Sequence, residues 1–402
     1  GGPTGHGDTE GGPPGHGSAR PEYAGWRRGG PRDSGTGRGL LVHEWISPSG
    51  GSENVLDEMA RTFPTADIRC LWNDAPERIT QRPVDETWLA RTPLRRSKAL
   101  AAPFSAIAWR MLPPADYDWM LISSHLFAHH ARIRGPARDV PKSVYVHSPA
   151  RYLWAPEHDP RGQGRAVRSV APLFRAIDRR RAAEPVALAA NSAFVRDRIR
   201  SAWNRDAVVI PPPVAVDQLL DRPGWHARLT PGEERVLAEL PGPFVLGVSR
   251  FVSYKRLDLV VAASDAAGLP AVLAGRGPEG ERLAALAEAA RVPVEIVASP
   301  STPLLWALYE RAAVLVFPAV EDFGIVPVEA QALGTPVVTG PRGGQTETYF
   351  DGISGVTAPT LHPVDLGDAV HRALSLPRFD GAAVTARFSA AVFRERIRTF
   401  VG

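Results

Sequence analysis

The sequence predicts an α/β protein with two doubly wound domains that face each other across a cleft. The main observation is that short β-rich runs alternate with longer helical segments from Gly39 onward, and the second half of the chain repeats this scheme. Such alternation is typical of parallel sheets with helices on both faces. The second observation is length, since 402 residues are enough for two domains that each bury a core. Ligands of such folds bind at the carboxyl ends of the strands, so the cleft is the expected site.

Each expected strand is an apolar run bounded by turn residues. The runs are LLVHEW, ADIRCLW, WMLISS, SVYVHS, VALAANS and AVVIPPPV in the first half, and PFVLGVSR, AVLAGRG, VEIVAS, VLVFPAV and PVVTG in the second. The prolines at 211–213 and the polar stretch 221–234 indicate the boundary between the halves. We therefore expect an N-terminal domain over 39–216 and a C-terminal domain over 217–386. Residues 1–38 are rich in Gly and Pro and poor in aliphatic side chains, so we expect a disordered tail there.

Composition excludes several classes of protein. An apolar fraction of 44% and a charged fraction of 22% describe a soluble globular chain, and no apolar run approaches the roughly 18 residues of a membrane span. No secretory signal is visible, although the chain opens with Gly rather than Met. Cys70 is the only cysteine, which excludes an internal disulfide and a Cys-based zinc site and favours a reducing cytoplasm. Lys and Arg number 47 against 43 Asp and Glu, so the charge does not predict a nucleic-acid partner.

The most informative feature of the sequence is a pair of glutamates in the segment PAVEDFGIVPVEAQALGTP. Glu321 follows an apolar run that predicts a buried strand, and Glu329 lies in the helical stretch beyond it. Ionised carboxylates only accept hydrogen bonds, which suits the vicinal hydroxyls of a sugar and of a ribose. The turn between them contains Phe323, Gly324, Ile325 and Val326, whose backbone N–H groups are expected to hold phosphate or hydroxyl oxygens. Taken alone, the pair is better explained as a loop acid and a first-turn helix acid, and the rest of the chain decides against that explanation.

Glycines and cations follow other predicted strands. Gly50 and Gly51 precede a helix after the first strand, where a missing side chain lets the backbone approach an anion, although a plain tight turn explains them as well. Arg250 and Lys255, in SRFVSYKRLD, follow the first strand of the second half. Two cations at this point suit a diphosphate, and a solvated basic loop is the alternative.

Histidines and aromatic residues follow two strands of the first half. His125, in ISSHLFAHH, is placed to donate a hydrogen bond to a sugar hydroxyl or a carbonyl group. The segment YVHSPARYLWAP adds four candidates for the acceptor side of the cleft, namely His147, Arg151, Tyr152 and Trp154. Core packing explains Tyr152 and Trp154 nearly as well. His129 and His130 are expected to cap a helix or lie at the surface.

Two basic stretches raise the question of a membrane. The segment RTPLRRSKALAAPFSAIAWR combines five cations with apolar residues and contains no acid, as an interfacial amphipathic helix would. The run from Arg161 to Arg181 is also rich in arginine. Surface helices often have this composition without touching lipid, so contact with an anionic membrane is an open alternative to a solvated face.

Together these motifs resemble the retaining glycosyltransferases of the GT-B fold, family 4, whose two Rossmann-like domains face an interdomain cleft. The resemblance covers nearly all of 39–402, and the segment from Glu321 to Glu329 is its most specific part. The motifs VHSPARYLW and PAVEDFGIVPVEA are similar to those of members that use GDP-mannose. The final segment, FSAAVFRERIRTF, resembles the family's last helix, so we expect 387–402 to pack back on the N-terminal domain.

The resemblance implies a role for each matching residue. Arg250 and Lys255 would bind the donor diphosphate, with Gly50 and Gly51 near it. Glu321 would contact the transferred sugar together with the backbone around 323–326. The further implied roles are ribose binding by Glu329 and contact with the donor sugar by His125.

The resemblance implies that a hexose is transferred with retention from a nucleotide diphosphate sugar to a glycan, lipid-linked or small-molecule acceptor. Mannose is the favoured hexose, and glucose or a similar sugar is the alternative. This transfer needs neither metal nor cofactor, and it implies front-face attack in which the departing phosphate takes the acceptor's proton. The expected location is the cytoplasm, with the inner face of the membrane as an alternative. A sugar-nucleotide-binding protein without catalysis is the main rival. A nicotinamide-dependent oxidoreductase is a weaker one, because neither the loop at Gly50 nor the glycines at Gly275 and Gly277 complete G-x-G-x-x-G.

Overall fold

The computed structural model describes residues 37–156, 164–220 and 224–402. In this part of the chain two separate parallel sheets form, one in each half. The two doubly wound domains predicted from the alternating pattern are confirmed. The tail predicted over 1–38 lies almost entirely outside the described residues.

The N-terminal sheet has seven strands. They are β1 (Gly39–His43), β2 (Asp67–Cys70), β3 (Val84–Glu86), β4 (Trp119–Ser124), β5 (Lys142–Val146), β6 (Ala187–Ala190) and β7 (Val208–Val209). Their order is β3-β2-β1-β4-β5-β6-β7, and all neighbours pair in parallel. β3 was not among the predicted strands, because its three residues are short of an apolar run and two of them are exposed.

The C-terminal sheet has six strands. They are β8 (Val245–Val248), β9 (Ala271–Gly275), β10 (Val294–Ala298), β11 (Val314–Phe317), β12 (Val337–Thr339) and β13 (Gly355–Thr357). Their order is β10-β9-β8-β11-β12-β13, again with parallel neighbours. The edge strand β13 was also not predicted from the sequence.

Helices cover both faces of each sheet. In the N-terminal half they are α1 (Gly51–Thr62), α2 (Lys98–Arg110), α3 (Arg151–Trp154), α4 (Arg165–Ala182), α5 (Ala193–Trp203) and α6 (Val216–Leu220). In the C-terminal half they are α7 (Pro231–Glu239), α8 (Leu257–Ala267), α9 (Gly280–Ala289), α10 (Thr302–Arg311), α11 (Ile325–Ala332), α12 (Pro363–Leu374), α13 (Gly381–Thr385) and α14 (Ala390–Val401). No described helix combines the length and the apolar character that crossing a bilayer requires.

Alternate residues of the central strands enter different cores, which explains why these strands are apolar throughout. In β1, Leu40 and Val42 pack on one side of the sheet, and Leu41 packs on the other beside Leu121. The C-terminal sheet has two cores of the same kind. Side chains of a strand alternate between faces, so burial on both faces needs a continuous apolar run.

The last helix lies against the N-terminal domain. Arg394 of α14 donates to Glu58 of α1 at 2.6 Å, and the rings of Phe393 and Tyr145 lie 5.8 Å apart. The exact domain boundary at 216–217 stays a prediction.

Strand order reverses at one point in each sheet, and these points locate the site. The reversal lies between β1 and β4 in the N-terminal sheet and between β8 and β11 in the C-terminal sheet. The crevice outside the strands' carboxyl ends at such a point is where doubly wound folds bind ligands. The segments after His43, Ser124, Val248 and Phe317 therefore form its walls.

Candidate active site

The cleft contains a cavity of about 960 Å³ that is lined by both domains. Twelve of the residues predicted from the sequence line it, namely Gly51, His125, His147, Arg151, Tyr152, Arg250, Lys255, Glu321, Phe323, Gly324, Ile325 and Val326. Gly50, Trp154 and Glu329 lie outside this lining. The fold thus brings together residues as far apart in the sequence as Gly51 and Val326.

Glu321 lies at the centre of the C-terminal wall, just beyond the end of β11. Lys255 donates a hydrogen bond to its Oε1, and Arg151 Nη2 lies 3.7 Å from its Oε2. Gln345 fixes the backbone, since its Oε1 accepts from the N–H of Glu321 at 3.0 Å. The carboxylate is therefore held between one cation from each domain.

Gly324 shapes the start of α11 beside Glu321. Its φ is 109°, and an added Cβ would lie 2.7 Å from the Cβ of Gln345. A side chain at this position is therefore excluded by both conformation and space. The turn presents the backbone of residues 323–326 along the cavity wall, and α11 also comes close to α1, since a Cβ on Gly51 would lie 3.1 Å from Ile325 Cδ1.

Arg250 is an exposed cation on the same wall. Its Nη2 donates to the hydroxyl of Tyr254 at 2.6 Å, which also lines the cavity. A guanidinium has five N–H donors in a planar fork, so this bond leaves donors for a ligand anion.

Glu329 lies deeper in α11 and contacts Tyr309 rather than the cavity. The tyrosine hydroxyl donates to its Oε2 at 3.1 Å. Burial disfavours the charged carboxylate and raises the pKa of Glu329 to about 7, although the bond from Tyr309 opposes this shift.

Asp322 joins the two domains and was missed in the sequence. Its Oδ2 accepts from Arg151 Nε at 2.9 Å, its Oδ1 accepts from Arg198 Nη1 at 2.6 Å, and its backbone carbonyl accepts from Ser192 Oγ. Burial disfavours the charge of Arg151, but Asp322 and Glu321 outweigh it and raise the pKa of Arg151 above its usual range. The only sequence signal was an acid directly beside Glu321.

A second contact between the domains uses the N-terminus of α5. The carboxylate of Glu347 accepts the N–H groups of Ala193 and Phe194 at 2.7 and 2.8 Å. These first N–H groups of a helix have no partner within it, and a carboxylate there is favoured by the helix dipole. Glu347 and Asp322 together hold α5 against the C-terminal domain.

A chain of neutral groups lies behind the N-terminal wall of the cavity, and His147 is its member in the cavity lining. His43 Nδ1 lies 3.0 Å from Ser123 Oγ, which lies 2.8 Å from His147 Nε2. Burial disfavours the imidazolium form and lowers the pKa of both His43 and His147 to about 3. The ring of His125 lies beside both, with centroid distances of 5.8 Å to His43 and 6.2 Å to His147. Both flanking imidazoles are therefore neutral at neutral pH.

Two family models match the two domains of this chain. One is described as "Glycosyl transferases group 1" and matches residues 233–387, and the other is described as "Glycosyltransferase Family 4" and matches residues 49–218. The chain belongs to the group 1 glycosyltransferases of family 4. The resemblance inferred from the sequence motifs is thereby confirmed.

Curated relatives of this family share part of the chain. A D-inositol 3-phosphate glycosyltransferase of Acidothermus cellulolyticus is 34% identical over 195 residues, which is 44% of this chain and 41% of the relative. A GDP-mannose-dependent alpha-(1-6)-phosphatidylinositol monomannoside mannosyltransferase of Mycolicibacterium smegmatis is 30% identical over 232 residues, or 52% of this chain and 58% of the relative. The matched regions thus span about half the length of these relatives.

Solved structures of glycosyltransferases share the whole architecture. Anabaena HepE in complex with UDP-glucose superposes with a TM-score of 0.65 and 17% identity, covering 90% of this chain and 98% of that one. The lipopolysaccharide outer core galactosyltransferase WaaB gives a TM-score of 0.63 at 14% identity, covering 90% and 99%. At such identities the likeness shows the fold, and the GT-B arrangement is confirmed.

Trp154 was predicted on the acceptor side of the cleft. In the structure its indole lies outside the cavity lining, in a polar cluster around the buried Asp178. Its indole N–H donates to Asp178 Oδ2 at 2.7 Å, as does that of Trp203. His129 and His130 complete the cluster, each with Nε2 3.0 Å from Asp178 Oδ1. Both histidines are buried, so the expectation of a surface role for them is wrong. Three potential metal ligands meet here, outside the lining of the cavity.

Proposed function

We propose that this protein is a retaining hexosyltransferase that uses a nucleotide diphosphate sugar. The observation that carries the proposal is the cavity between the two strand-order reversals, where Arg250, Lys255 and Glu321 face His125. A ligand with a diphosphate at one end and a sugar at the other fits a wall of cations and a carboxylate. The acceptor is a glycan, a lipid-linked sugar or a small molecule.

Binding of the donor would rearrange one ion pair. Lys255 donates to Glu321 in the structure, so the two charges neutralise each other. A donor diphosphate offers Lys255 a second anionic partner, and the sugar hydroxyls offer Glu321 neutral donors in its place. Arg250 is exposed in the cleft and would reach the same diphosphate.

The proposed chemistry follows from where charge develops. As the anomeric C–O bond breaks, negative charge grows on the leaving diphosphate and positive charge grows on the sugar ring. Arg250, Lys255 and the backbone at the start of α11 would stabilise the former, and Glu321 would stabilise the latter. Retention would then proceed by front-face attack, with the departing phosphate accepting the acceptor's proton. In this scheme protein cations take the place of a metal ion.

The choice of donor rests on similarity. The relative from Mycolicibacterium smegmatis is named for its use of GDP-mannose, and the motifs around His147 and Glu321 are similar to those of such members. Mannose from GDP-mannose is therefore the favoured donor sugar, with glucose as the alternative.

Donor binding and turnover test the proposal directly. Thermal shift and donor hydrolysis would be measured with GDP-mannose, UDP-glucose and UDP-GlcNAc on the wild type, Glu321→Ala and Arg250→Ala. One donor should stabilise the wild type and turn over slowly, and both variants should lose turnover by on the order of 100-fold. Arg282→Ala is a matched control, because Arg282 is an exposed arginine of the same domain that pairs with Glu279.

The outcomes separate the rival functions. Stabilisation by a donor without hydrolysis, and without transfer to any of a panel of sugar and lipid-linked acceptors, would favour a binding protein that does not catalyse. No response to any nucleotide sugar would reject the assigned site. A response to NAD(H) alone would point to the oxidoreductase, which family membership argues against.

We also propose that the mouth of the cavity on the N-terminal side meets an anionic membrane surface. α2 exposes Leu100, Phe104 and Ile107, which lie on one helix face because they are four and three residues apart. α4 exposes Leu173 in the same way, and both helices also line the cavity. Large apolar side chains on exposed helix faces beside a site are typical of an interaction surface.

Cations near this face favour anionic lipid as the partner. Arg91, Arg96 and Lys98 are exposed. Arg95 and Arg110, predicted for the same role, instead form ion pairs with Asp74 and Glu184. The first part of the arginine-rich run from Arg161 lies outside the described residues. The basic character of the face therefore comes from fewer residues than the sequence suggested.

Vesicle flotation tests this surface. The wild type should float with phosphatidylglycerol vesicles and not with phosphatidylcholine vesicles, and binding should fall as salt rises. Leu100→Ser combined with Ile107→Ser should reduce flotation by about tenfold. Val364→Ser is the matched control, since Val364 is an exposed apolar residue of the C-terminal domain. Equal flotation of the double variant and the wild type would contradict the proposal.

A further inference from the structure

Glu44 is a buried carboxylate directly after β1, at the strand-order reversal of the N-terminal sheet. Its exposed fraction is 0%. Its Oε1 accepts the backbone N–H groups of Leu126 at 2.8 Å and Ala128 at 2.7 Å, and its Oε2 accepts the indole N–H of Trp109 at 3.3 Å. All three donors are neutral.

Such an arrangement is costly for the fold. Burial disfavours the charged form and raises the pKa of Glu44 to about 7, although the backbone and indole hydrogen bonds favour ionisation. A buried carboxylate without a cationic partner contributes less to stability than a well-packed apolar residue of similar size. The segment whose N–H groups Glu44 accepts therefore indicates what role Glu44 has beyond packing.

What it holds is the turn that carries His125. The two N–H groups that Glu44 accepts belong to the first and third residues after His125. The residue next to Glu44 is Trp45, whose ring lies 4.8 Å from that of His125 and which also lines the cavity. One side chain thus connects the end of β1 to the turn after β4 across the reversal point.

We propose that Glu44 is a positioning residue for sugar transfer, which fixes the 125–128 turn and thereby the His125 ring against the donor sugar. This inference rests on the proposed function, since it assumes that His125 acts on the donor. A misplacement of about 1 Å in a reacting group can cost on the order of 100-fold in rate, so loss of the two N–H acceptors should affect turnover more than binding.

A double-mutant cycle in the full chain tests the coupling. Glu44→Ala should lower kcat by on the order of 100-fold and change KM for the donor by less than about twofold. In the background of His125→Ala, the same change should lower kcat by less than about threefold. Glu44→Gln keeps a carbonyl oxygen for both N–H groups, so it should recover most of the turnover that Glu44→Ala loses.

A matched control separates positioning from general destabilisation. Glu58 is another buried glutamate of the N-terminal domain, and it pairs with Arg394 on the side of α14. Glu58→Ala should lower the melting temperature without a fall in kcat. Equal losses of kcat from Glu44→Ala with and without His125 would overturn the proposal, even if the wild type turns over its donor as expected.

Histidine NMR gives a readout that does not need turnover. In the wild type the His125 ring signals are assigned by their absence in His125→Gln. Glu44→Ala should shift or broaden these signals and leave those of the distant His362 and His371 in place. If the His125 signals do not move, the positioning role is wrong, whatever donor or activity the protein has. If they move and no donor is hydrolysed, the proposed function fails and the structural half of this inference stands.

Discussion

The two walls of the cavity differ in charge and in how the chain builds them. The C-terminal wall is charged and local, with Arg250 and Lys255 on one loop and Glu321 at the end of one strand. The N-terminal wall also has the cations Lys98 and Arg151, but its strand ends are neutral and composite, since the chain from His43 through Ser123 to His147 draws on β1, β4 and the residue after β5. Burial keeps the pKa of both of these histidines near 3, so neither carries a charge at neutral pH.

This difference suits a ligand that is charged at one end and neutral at the other. In the proposed reaction the diphosphate needs cations, whereas the sugar and acceptor need a site that excludes water and limits donor hydrolysis. The charged C-terminal wall would bind the diphosphate, and the neutral, packed strand ends of the N-terminal wall would cover the sugar and the acceptor. Neither wall is sufficient alone, so the contacts that hold the two in register matter as much as the walls.

The largest expected effect is the loss of those contacts through Asp322→Ala. This change leaves Arg151 and Arg198 without their shared carboxylate. Breaking a buried ion pair costs about 3–5 kcal/mol, and we expect about 2–3 kcal/mol here because these side chains retain some solvent contact. Urea unfolding would measure the stability, and donor turnover should fall with it.

A matched pair inside the N-terminal domain provides the control. Arg200 and Asp206 form an exposed ion pair within this domain. Asp206→Ala should cost less than about 1 kcal/mol and leave turnover unchanged. If Asp322→Ala behaves like Asp206→Ala, the two walls are held in register by other contacts, such as that of Glu347 with α5.

A smaller effect is expected from Glu329→Gln, which sharpens the contrast in charge. Glu329 is a half-buried acid of the C-terminal domain, and its pKa is raised from 4.5 to about 7. The folded state therefore binds more protons than the unfolded state between these values, and stability is lost as the pH rises through this window. Glu329→Gln removes this titration. The melting temperature of the variant minus that of the wild type should therefore increase as the pH rises from 5 to 7.

The pH comparison needs a control for other titrating groups. His43 and His147 act in the opposite direction, because the unfolded state binds their protons more readily below pH 6.5, but they are unchanged in the variant. Glu234→Gln alters an exposed glutamate of the same domain and is measured alongside as the control. A constant difference between Glu329→Gln and the wild type across this range would show that Glu329 does not titrate there.

The contrast between the walls also explains what the sequence could predict. The fold followed from apolar runs, because strands buried on both faces must be apolar throughout. The C-terminal wall could be predicted because its residues lie in short motifs with a clear chemical type. Asp322 and Glu44 were missed because their roles depend on partners far along the chain, which no local pattern reveals.

Burial was the other property that the sequence did not reveal. Trp154 and His129 occur in segments that face the cleft, and their residue types suit ligand binding equally well. Only the structure shows that α4 packs against both side chains, so that Asp178 of α4 contacts the indole N–H of Trp154 and the imidazole of His129. The aromatic residues beside a site therefore cannot be divided into core and lining by type alone.

The smallest expected effect tests where the N-terminal wall ends. Trp154→Phe removes the indole hydrogen bond to Asp178, which still accepts from Trp203 and His130, so we expect a loss of about 1 kcal/mol in stability. The KM for the acceptor should not change. Tyr152 is the comparison, because its side chain lines the cavity, and Tyr152→Ala should raise the acceptor KM severalfold. If Trp154→Phe raises the acceptor KM as much as Tyr152→Ala does, the acceptor site extends past the cavity lining into the cluster around Asp178.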